Sequence, residues 1–156
     1  LTALEKYAGA GKRALDLGCG SGILSIAALL LGAKDAFACD IDDKCVGVAC
    51  ANAALNGVGK EHYTVRAGDV LSDKRLAREF GGDYDIVVAN IVADVIIGLA
   101  PVLPHFLNES STLICSGILD TRLSDVLDAL TAAGLTVTAT KAKDDWRCVT
   151  AIRKYI

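Results

Sequence analysis

Short apolar runs alternate along the chain with longer segments in which apolar residues recur at helical spacing. The short runs end at, or just before, Gly, Asp or Asn, and they carry few polar residues, as strands buried on both faces of a parallel sheet do. The pattern predicts five such β-strands, at residues 13–17, 36–40, 63–67, 84–90 and 112–116.

The segments between these strands have the spacing of helices with one buried face. Asp43 and Thr121 are residue types that cap helix N-termini, and Asn56-Gly57 and Gly134 suit helix C-termini. The predicted helices are residues 22–31, 43–56, 73–80, 94–107 and 121–133. Two further strands, 135–141 and 147–153, flank Lys143-Asp144-Asp145 and predict a terminal hairpin.

Five βα units followed by a hairpin predict a Rossmann-like α/β fold. The sheet should have seven strands, mostly parallel, with one antiparallel strand and helices on both faces. The length of 156 residues and the 53% content of hydrophobic residues suit one compact core, so we expect a single domain over residues 1–156.

Charge and cysteine usage restrict the possible partners. A net charge of -3 provides no basic field for nucleic acid, which is therefore an unsupported partner. The six cysteines include no C-x-x-C pair and there are only two histidines, so we expect reduced, buried thiols in a cytoplasmic protein, with no metal site. Polar residues interrupt the apolar stretches too early for a membrane span. Nothing in the sequence indicates an oligomeric state.

A glycine-rich segment, Asp16-Leu17-Gly18-Cys19-Gly20-Ser21-Gly22, connects the first predicted strand to the first predicted helix. Glycines permit a tight turn and a close approach of ligand to backbone, and the helix N-terminus attracts an anion such as a cofactor carboxylate. A dinucleotide-binding loop would carry its third glycine at position 23, where this chain has Ile23. The carboxylate of Asp16 can instead face the positively charged amino group of S-adenosylmethionine.

Two further acids follow the next predicted strands. Asp40 lies about twenty residues beyond the glycines, where a carboxylate can bridge two ribose hydroxyls. Asp42 is a nearby alternative for that role, and Asp42 or Asp43 is expected to cap the following helix. Asp69 can accept a hydrogen bond from an adenine amino group, although Gly-Asp is also an ordinary turn. The predicted cofactor-binding residues are Asp16, Gly18, Cys19, Gly20, Gly22, Asp40, Ile41, Asp69, Val70 and Asn90.

Asn90 ends the fourth predicted strand, and its amide oxygen can accept a hydrogen bond from a target amine. A helix cap or a turn residue is the alternative interpretation. For His62 and His105 we expect surface or packing roles, and for Trp146 a core or edge position.

The chain resembles, almost from end to end, the bacterial PrmA-type enzymes, which methylate lysine and α-amino groups of a large-subunit ribosomal protein. The Asn-Ile and Ser-Gly-Ile-Leu runs are the most specific part of this resemblance, because amino-methyltransferases of nucleic acids and of glutamine usually carry Asn-Pro-Pro and an aromatic residue. The matching segments are residues 15–24, Asp40-Ile41-Asp42, Asn52, Asn56-Gly57-Val58, Ala89-Asn90-Ile91, Ser116-Gly117-Ile118-Leu119 and Trp146-Arg147.

The resemblance implies a class I methyltransferase fold with S-adenosylmethionine as cofactor and S-adenosylhomocysteine as product. It implies that Asn90 and Ile91 are catalytic, with the amide of Asn90 and the Ile91 carbonyl orienting the incoming amine, and that a ribosomal protein is the partner. PrmA-type enzymes carry a separate N-terminal recognition domain, so we expect this chain to be the C-terminal catalytic part of a longer protein. The alternatives are a methyltransferase of small molecules or nucleic acid, and a cofactor-binding module without catalysis.

Overall fold

The structure is a computed structural model that describes residues 1–153, and its strands form one seven-stranded sheet. The strands are β1 (Arg13–Leu17), β2 (Asp35–Asp40), β3 (Tyr63–Ala67), β4 (Tyr84–Asn90), β5 (Leu107–Leu119), β6 (Leu135–Lys143) and β7 (Trp146–Arg153). The helices are α1 (Thr2–Tyr7), α2 (Ile23–Leu30), α3 (Asp43–Leu55), α4 (Lys74–Phe80), α5 (Ala93–Leu99), α6 (Leu103–Phe106) and α7 (Leu123–Ala132), with a 3₁₀ helix at Asp120–Arg122.

The strand order is β3-β2-β1-β4-β5-β7-β6. Strand β7 is antiparallel to both of its neighbours, β5 and β6, and the other strand pairs are parallel. The predicted α/β fold is therefore confirmed. The chain winds outward from β1 to β3 and then returns to the other side of β1 with β4, so a crevice opens between the carboxyl ends of β1 and β4, where ligands bind in sheets of this kind.

Alternating residues of the central strands contribute to two separate cores. In β1, Leu15 and Leu17 face the core beneath α5, α6 and α7, whereas Ala14 faces the core beneath α1, α2 and α3. This period of two is what a strand buried on both faces requires. The second core contains many alanines, whose small side chains allow the helices to lie close to the sheet.

The structure corrects several predicted element boundaries. The predicted helix 94–107 is two helices, α5 and α6, because Pro101 and Pro104 lack the amide hydrogen that a continuous helix needs. Strand β5 is longer than the predicted 112–116, since it pairs with Tyr84 at one end and with Trp146 at the other. Helix α1 was not predicted. Residues 154–156 of the predicted domain lie outside the described part of the chain.

The structure decides between the two candidate caps of α3 and corrects the cap predicted for the last helix. Asp42, rather than Asp43, caps α3 by accepting a hydrogen bond from the Lys44 amide at 3.0 Å. Thr121 lies within the 3₁₀ helix, and α7 has no side-chain cap. The C-terminal predictions are confirmed, because Asn56 ends α3 and both Gly57 and Gly134 have the positive φ expected of residues after a helix.

The cysteines of the described residues are unpaired. Cys19, Cys39 and Cys115 are buried, but Cys50 is exposed, so the expectation of buried thiols is wrong at that position. Within residues 1–153 no helix is long and apolar enough to cross a membrane, and no cluster of His, Cys, Asp or Glu could hold a metal ion.

Because side chains fill both cores, truncating a buried one should lower the free energy of unfolding by a large amount. Leu113 in β5 is fully buried, whereas Leu55 at the end of α3 is 84% exposed. Leu113→Ala should lower the free energy of unfolding by about 3 kcal/mol, because the lost contacts leave a cavity. Leu55→Ala should change it by less than about 0.5 kcal/mol. Urea denaturation of both variants tests this prediction, and equal destabilisation by the two substitutions would contradict it.

Candidate active site

Three glycines with positive φ shape the loop between β1 and α2, and each is required for a different reason. The φ angles are +75° at Gly18, +51° at Gly20 and +78° at Gly22. A Cβ at Gly18 would lie 2.4 Å from a methyl carbon of Ile91, and one at Gly22 would lie 2.6 Å from the hydroxyl of Tyr63. A Cβ at Gly20 would contact nothing within 4 Å, so this glycine borders open space.

The loop is held from the side of β2 through its backbone amides. The carbonyl of Cys39 accepts from the amides of Gly18 and Cys19 at 2.9 and 3.0 Å. The Asp40 carboxylate accepts from the Gly20 amide at 2.8 Å with Oδ2, and from the Asp42 amide at 3.0 Å with Oδ1. Asp40 therefore connects the glycine loop to the turn that follows its own strand.

A cavity of about 340 Å³ lies between the carboxyl ends of β1, β2 and β4, within the size range of small-molecule sites. Its walls are mostly apolar, and three of its side chains remain open to solvent: Ile41 is 81%, Val92 64% and Val95 44% exposed. Exposed apolar side chains around a cavity suit a flat aromatic ligand. The predicted residues in its wall are Gly18, Asp40, Ile41, Asp69, Val70 and Ile91.

The turn after β3 places Asp69 in this wall. Its Oδ1 accepts from the Leu71 amide at 2.9 Å and its Oδ2 accepts from the Ser72 hydroxyl at 3.2 Å. The ordinary-turn interpretation of Gly68-Asp69 therefore applies. A carboxylate oxygen has a second lone pair, so these bonds leave capacity for a ligand, and the adenine contact stays a prediction.

Asp16 is only 1% exposed and faces α2. Its Oδ2 accepts from the Ser25 amide at 3.1 Å and from the Ser25 hydroxyl at 2.9 Å. Burial raises the pKa of the Asp16 carboxyl from 3.8 to about 6, although the Ser25 hydrogen bonds oppose the shift and the nearby Asp40 adds to it. The predicted contact with a cofactor amino group stays a prediction.

Asn90 and Ile91 form a turn at the end of β4 that the end of β5 holds in place. The Ser116 hydroxyl donates to Oδ1 of Asn90 at 3.0 Å, and the Ile91 amide donates to the Ser116 carbonyl at 3.2 Å. Gly117 has a φ of +78°, and a Cβ there would lie 3.0 Å from both Oδ1 of Asn90 and the Ile91 carbonyl oxygen. The turn therefore depends on a glycine at position 117.

A second cavity, of about 590 Å³, adjoins this turn and shares no lining residue with the first. Asn90 and Ser116 line the second cavity, whereas Ile91 lines the first. Trp146 also lines it and is 52% exposed, so a core position is wrong for this side chain. The Asn90-Ile91 turn thus lies between two cavities at the carboxyl ends of the strands, where the sequence predicts the active site.

Neither histidine belongs to these cavities. Nδ1 of His62 lies 3.0 Å from the Lys34 carbonyl oxygen, in an exposed position before β3. His105 packs edge-on against Phe106 near the start of β5. Both contacts agree with the expected surface and packing roles.

Comparison with known proteins adds to this geometry. A family model described as ribosomal protein L11 methyltransferase (PrmA) matches residues 1–154 of the sequence. The chain belongs to the PrmA family. Two curated relatives, both named ribosomal protein L11 methyltransferase, come from Agathobacter rectalis (43% identical, 95% of this chain) and Brevibacillus brevis (42% identical, 99% of this chain). The match covers 47% of each relative, so this PrmA-family chain spans about half of their length.

Solved structures agree with the family assignment. A crystal structure of ribosomal protein L11 methylase from Lactobacillus delbrueckii subsp. bulgaricus has a TM-score of 0.88 at 33% identity, covering 99% of this chain and 76% of that one. Magnesium protoporphyrin IX methyltransferase from Synechocystis, solved with bound SAM, has a TM-score of 0.73 at 23% identity, covering 93% of this chain and 71% of that one. The second likeness shows the fold alone, and that fold is the predicted class I methyltransferase fold.

Sequence reasoning missed several residues that shape this PrmA-family site. Ser25 binds Asp16 and Tyr63 approaches Gly22. Asn52 of α3, which the resemblance singled out without a role, donates to the Ser21 carbonyl at 2.9 Å. One signal was available in the sequence, because Ser25 is the single polar residue of the helix Ile23–Leu30. The role of Tyr63 had no such signal, since only the folded sheet brings β3 beneath the loop.

The buried carboxyl of Asp16 predicts a pH-dependent stability. Because its pKa is about 6 in the folded protein and its ordinary value is 3.8, the folded state binds the proton more tightly. This contribution to stability is complete below pH 3.8 and is lost as the pH rises to about 6. It amounts to about 3 kcal/mol.

Asp16→Asn removes this titration and keeps the shape of the side chain. The unfolding free energy of the variant minus that of the wild type should therefore rise by about 2 kcal/mol between pH 4 and pH 6, and become level above about pH 7. Chemical denaturation at a series of pH values measures this difference. A difference that does not change with pH would show that Asp16 titrates normally.

Proposed function

We propose that this chain transfers a methyl group from S-adenosylmethionine to an amine nitrogen, and that the acceptor lies on the large-subunit ribosomal protein L11. One observation carries the proposal: the Asn90-Ile91 turn separates a cavity suited to an adenosine from a second, larger cavity. The acceptor is that of the curated relatives, which are named ribosomal protein L11 methyltransferase. Because the chain spans 47% of those relatives, we infer that recognition of L11 involves the other half of such a protein.

The cavity residues fit the cofactor. The apolar walls around Ile41 and Val92 suit the adenine ring, and the carboxylates of Asp40 and Asp69 suit the ribose hydroxyls and the adenine amino group. The open space above Gly20 admits a ligand to the backbone, and the N-terminus of α2 favours a carboxylate at the loop. These residues therefore offer a partner of suitable charge to each part of S-adenosylmethionine.

The chain's own residues align the acceptor and exclude water. When bound, S-adenosylmethionine supplies a sulfonium methyl group that is already an activated electrophile. The amide oxygen of Asn90 accepts one hydrogen bond from Ser116 and has a second lone pair for an N–H of the acceptor amine. The Ile91 carbonyl offers a further acceptor, so that the two groups orient the nitrogen lone pair toward the first cavity.

The acceptor amine must be neutral before it can attack. Lys141 and Lys143 line the second cavity, and their positive charges disfavour protonation of an incoming lysine. Arg147 also lines this cavity, but it is paired with Asp120 at 2.7 Å. The chain thus favours the neutral amine through like charges, without a dedicated base. A ribosomal protein substrate also implies a cytoplasmic location.

The cofactor role of Asp40 can be tested by calorimetric titration with S-adenosylmethionine and S-adenosylhomocysteine. Asp40→Ala should weaken binding of both by at least about 30-fold, because it removes the ribose acceptor and the Gly20 hydrogen bond together. Asp43→Ala is the matched control, since Asp43 is exposed in the first turn of α3. The affinity of the Asp43→Ala variant for both ligands should change by less than about twofold.

A cofactor analogue without the ribose hydroxyls separates the two effects of Asp40. S-adenosylhomocysteine that lacks both ribose hydroxyls should bind to the wild type more weakly than S-adenosylhomocysteine itself. Asp40→Ala should then reduce the affinity for this analogue by a smaller factor than it reduces the affinity for the natural ligand. An equal loss for both ligands would show that Asp40 acts only on the loop. Failure of the folded wild type to bind either natural ligand would overturn the proposed function.

The catalytic role of the Asn90-Ile91 turn can be tested at Gly117. A Cβ at this position should displace the Asn90 amide and lower kcat about 100-fold, because small misplacements of an orienting group are costly. The dissociation constant for S-adenosylmethionine should change by less than about threefold, since Gly117 lies outside the first cavity.

Gly134→Ala is the matched control for Gly117→Ala. Its φ of +80° imposes the same backbone strain, but a Cβ there would contact nothing within 4 Å. Transfer of radiolabelled methyl groups to purified L11 by the full-length protein measures kcat. Equal losses of kcat in the two variants would assign the effect to strain, and no transfer by a cofactor-bound wild type would exclude L11 as the acceptor.

A further inference from the structure

A buried chain of hydrogen bonds runs beneath the glycine loop and crosses three elements of the fold. The Tyr63 hydroxyl of β3 lies 2.8 Å from the Ser25 hydroxyl of α2, which lies 2.9 Å from Oδ2 of Asp16 in β1. Ser25 Oγ also lies 3.1 Å from the Gly22 carbonyl oxygen. All three side chains are buried, and their exposed fractions are 7%, 0% and 1%.

The number of available protons fixes the direction of this chain when Asp16 is ionised. Ser25 has one hydroxyl hydrogen, and the Asp16 carboxylate is its strongest acceptor. The hydrogen of Tyr63 must then be donated to the Ser25 oxygen. Burial raises the pKa of the Tyr63 hydroxyl, so Tyr63 remains a donor at neutral pH.

We propose that Tyr63 is a positioning residue for cofactor binding, which acts through Ser25 to stabilise the ionised form of Asp16 beneath the glycine loop. This inference rests on the proposed function, because the negative charge matters through its attraction for the positively charged amino and sulfonium groups of the cofactor. Neither Tyr63 nor Ser25 lines either cavity, so both act without touching the ligand.

The loop geometry explains why the hydroxyl group of Tyr63 is so close. A Cβ at Gly22 would lie 2.6 Å from that hydroxyl and 3.0 Å from the Cβ of Ala49. Gly22 therefore leaves the space that lets Tyr63 reach Ser25. The same glycine that permits the turn also permits the hydrogen-bond chain below it.

The other titratable groups around Asp16 do not replace this chain. Asp40 raises the pKa of Asp16, since it is a like charge. The Cys19 and Cys39 thiols also interact with Asp16, but burial raises the pKa of both, to about 12 at Cys39, and keeps them neutral. Ser25 alone supplies hydrogen bonds that lower the pKa of Asp16, and Tyr63 is the donor behind Ser25.

The test is Tyr63→Phe, which removes the hydroxyl and keeps the ring. The first measurement is a carboxyl ¹³C NMR titration of Asp16 in the full-length protein without cofactor, with Asp16→Asn used to assign the resonance. We expect the midpoint of Asp16 to rise by about half a pH unit relative to the wild type. This measurement does not depend on cofactor binding, so it separates a failure of this inference from a failure of the proposed function.

The second measurement is the affinity for S-adenosylmethionine between pH 5 and pH 7. The wild type should bind more tightly as the pH rises through the midpoint of Asp16. Tyr63→Phe should bind about twofold more weakly at pH 6, because a half-unit rise of the midpoint roughly halves the ionised fraction of Asp16, and it should approach the wild type at pH 7.

Tyr84→Phe is the matched control for this pair of measurements. Tyr84 is also buried and its hydroxyl donates to the Phe80 carbonyl at 2.7 Å, but Tyr84 belongs to one core of the sheet and Tyr63 to the other. It should lose stability without any shift in the Asp16 midpoint. An unchanged midpoint in Tyr63→Phe, or an equal shift in Tyr84→Phe, would overturn the proposed role of Tyr63.

Discussion

The hydrogen bond between the Asp40 carboxylate and the Gly20 amide holds the centre of this site together. It links the first strand–helix loop to the end of the neighbouring strand at a distance of 2.8 Å. The second carboxylate oxygen binds the Asp42 amide, whose own side chain caps α3. Asp40 therefore fixes two loops directly, and it fixes the start of α3 through Asp42. Under the proposed function, the same carboxylate also binds the ribose hydroxyls.

The site also contains a carboxyl that the fold makes costly to ionise. Asp16 is almost fully buried, and the hydrogen bonds from Ser25 only partly offset its removal from water. A position chosen for stability alone would suit a neutral residue. Under the proposed function, a negative charge beneath the glycine loop attracts the cationic cofactor, and this attraction gives the unfavourable burial a functional role.

The sequence predicted the strands well because buried parallel strands leave continuous apolar runs that end in glycine or acidic residues. It also predicted the glycine loop, since positive φ angles and close contacts at Gly18 and Gly22 leave no other residue type. It failed where contacts come from distant segments. The split of the predicted helix 94–107 at its prolines was readable in advance, but the approach of Tyr63 to Ser25 was not. The division of the site into two cavities likewise exists only in the assembled sheet.

The Asn-Ile and Ser-Gly runs of the sequence have a structural role at the carboxyl end of β5. Ser116 binds the amide of Asn90, and Gly117 leaves room for that amide and for the Ile91 carbonyl. A methyltransferase that uses Asn-Pro-Pro would stiffen this turn with prolines, whereas here the rigidity comes from the neighbouring strand. The Asn-Ile run and the Ser-Gly run therefore act together, because neither orients the Asn90 amide without the other.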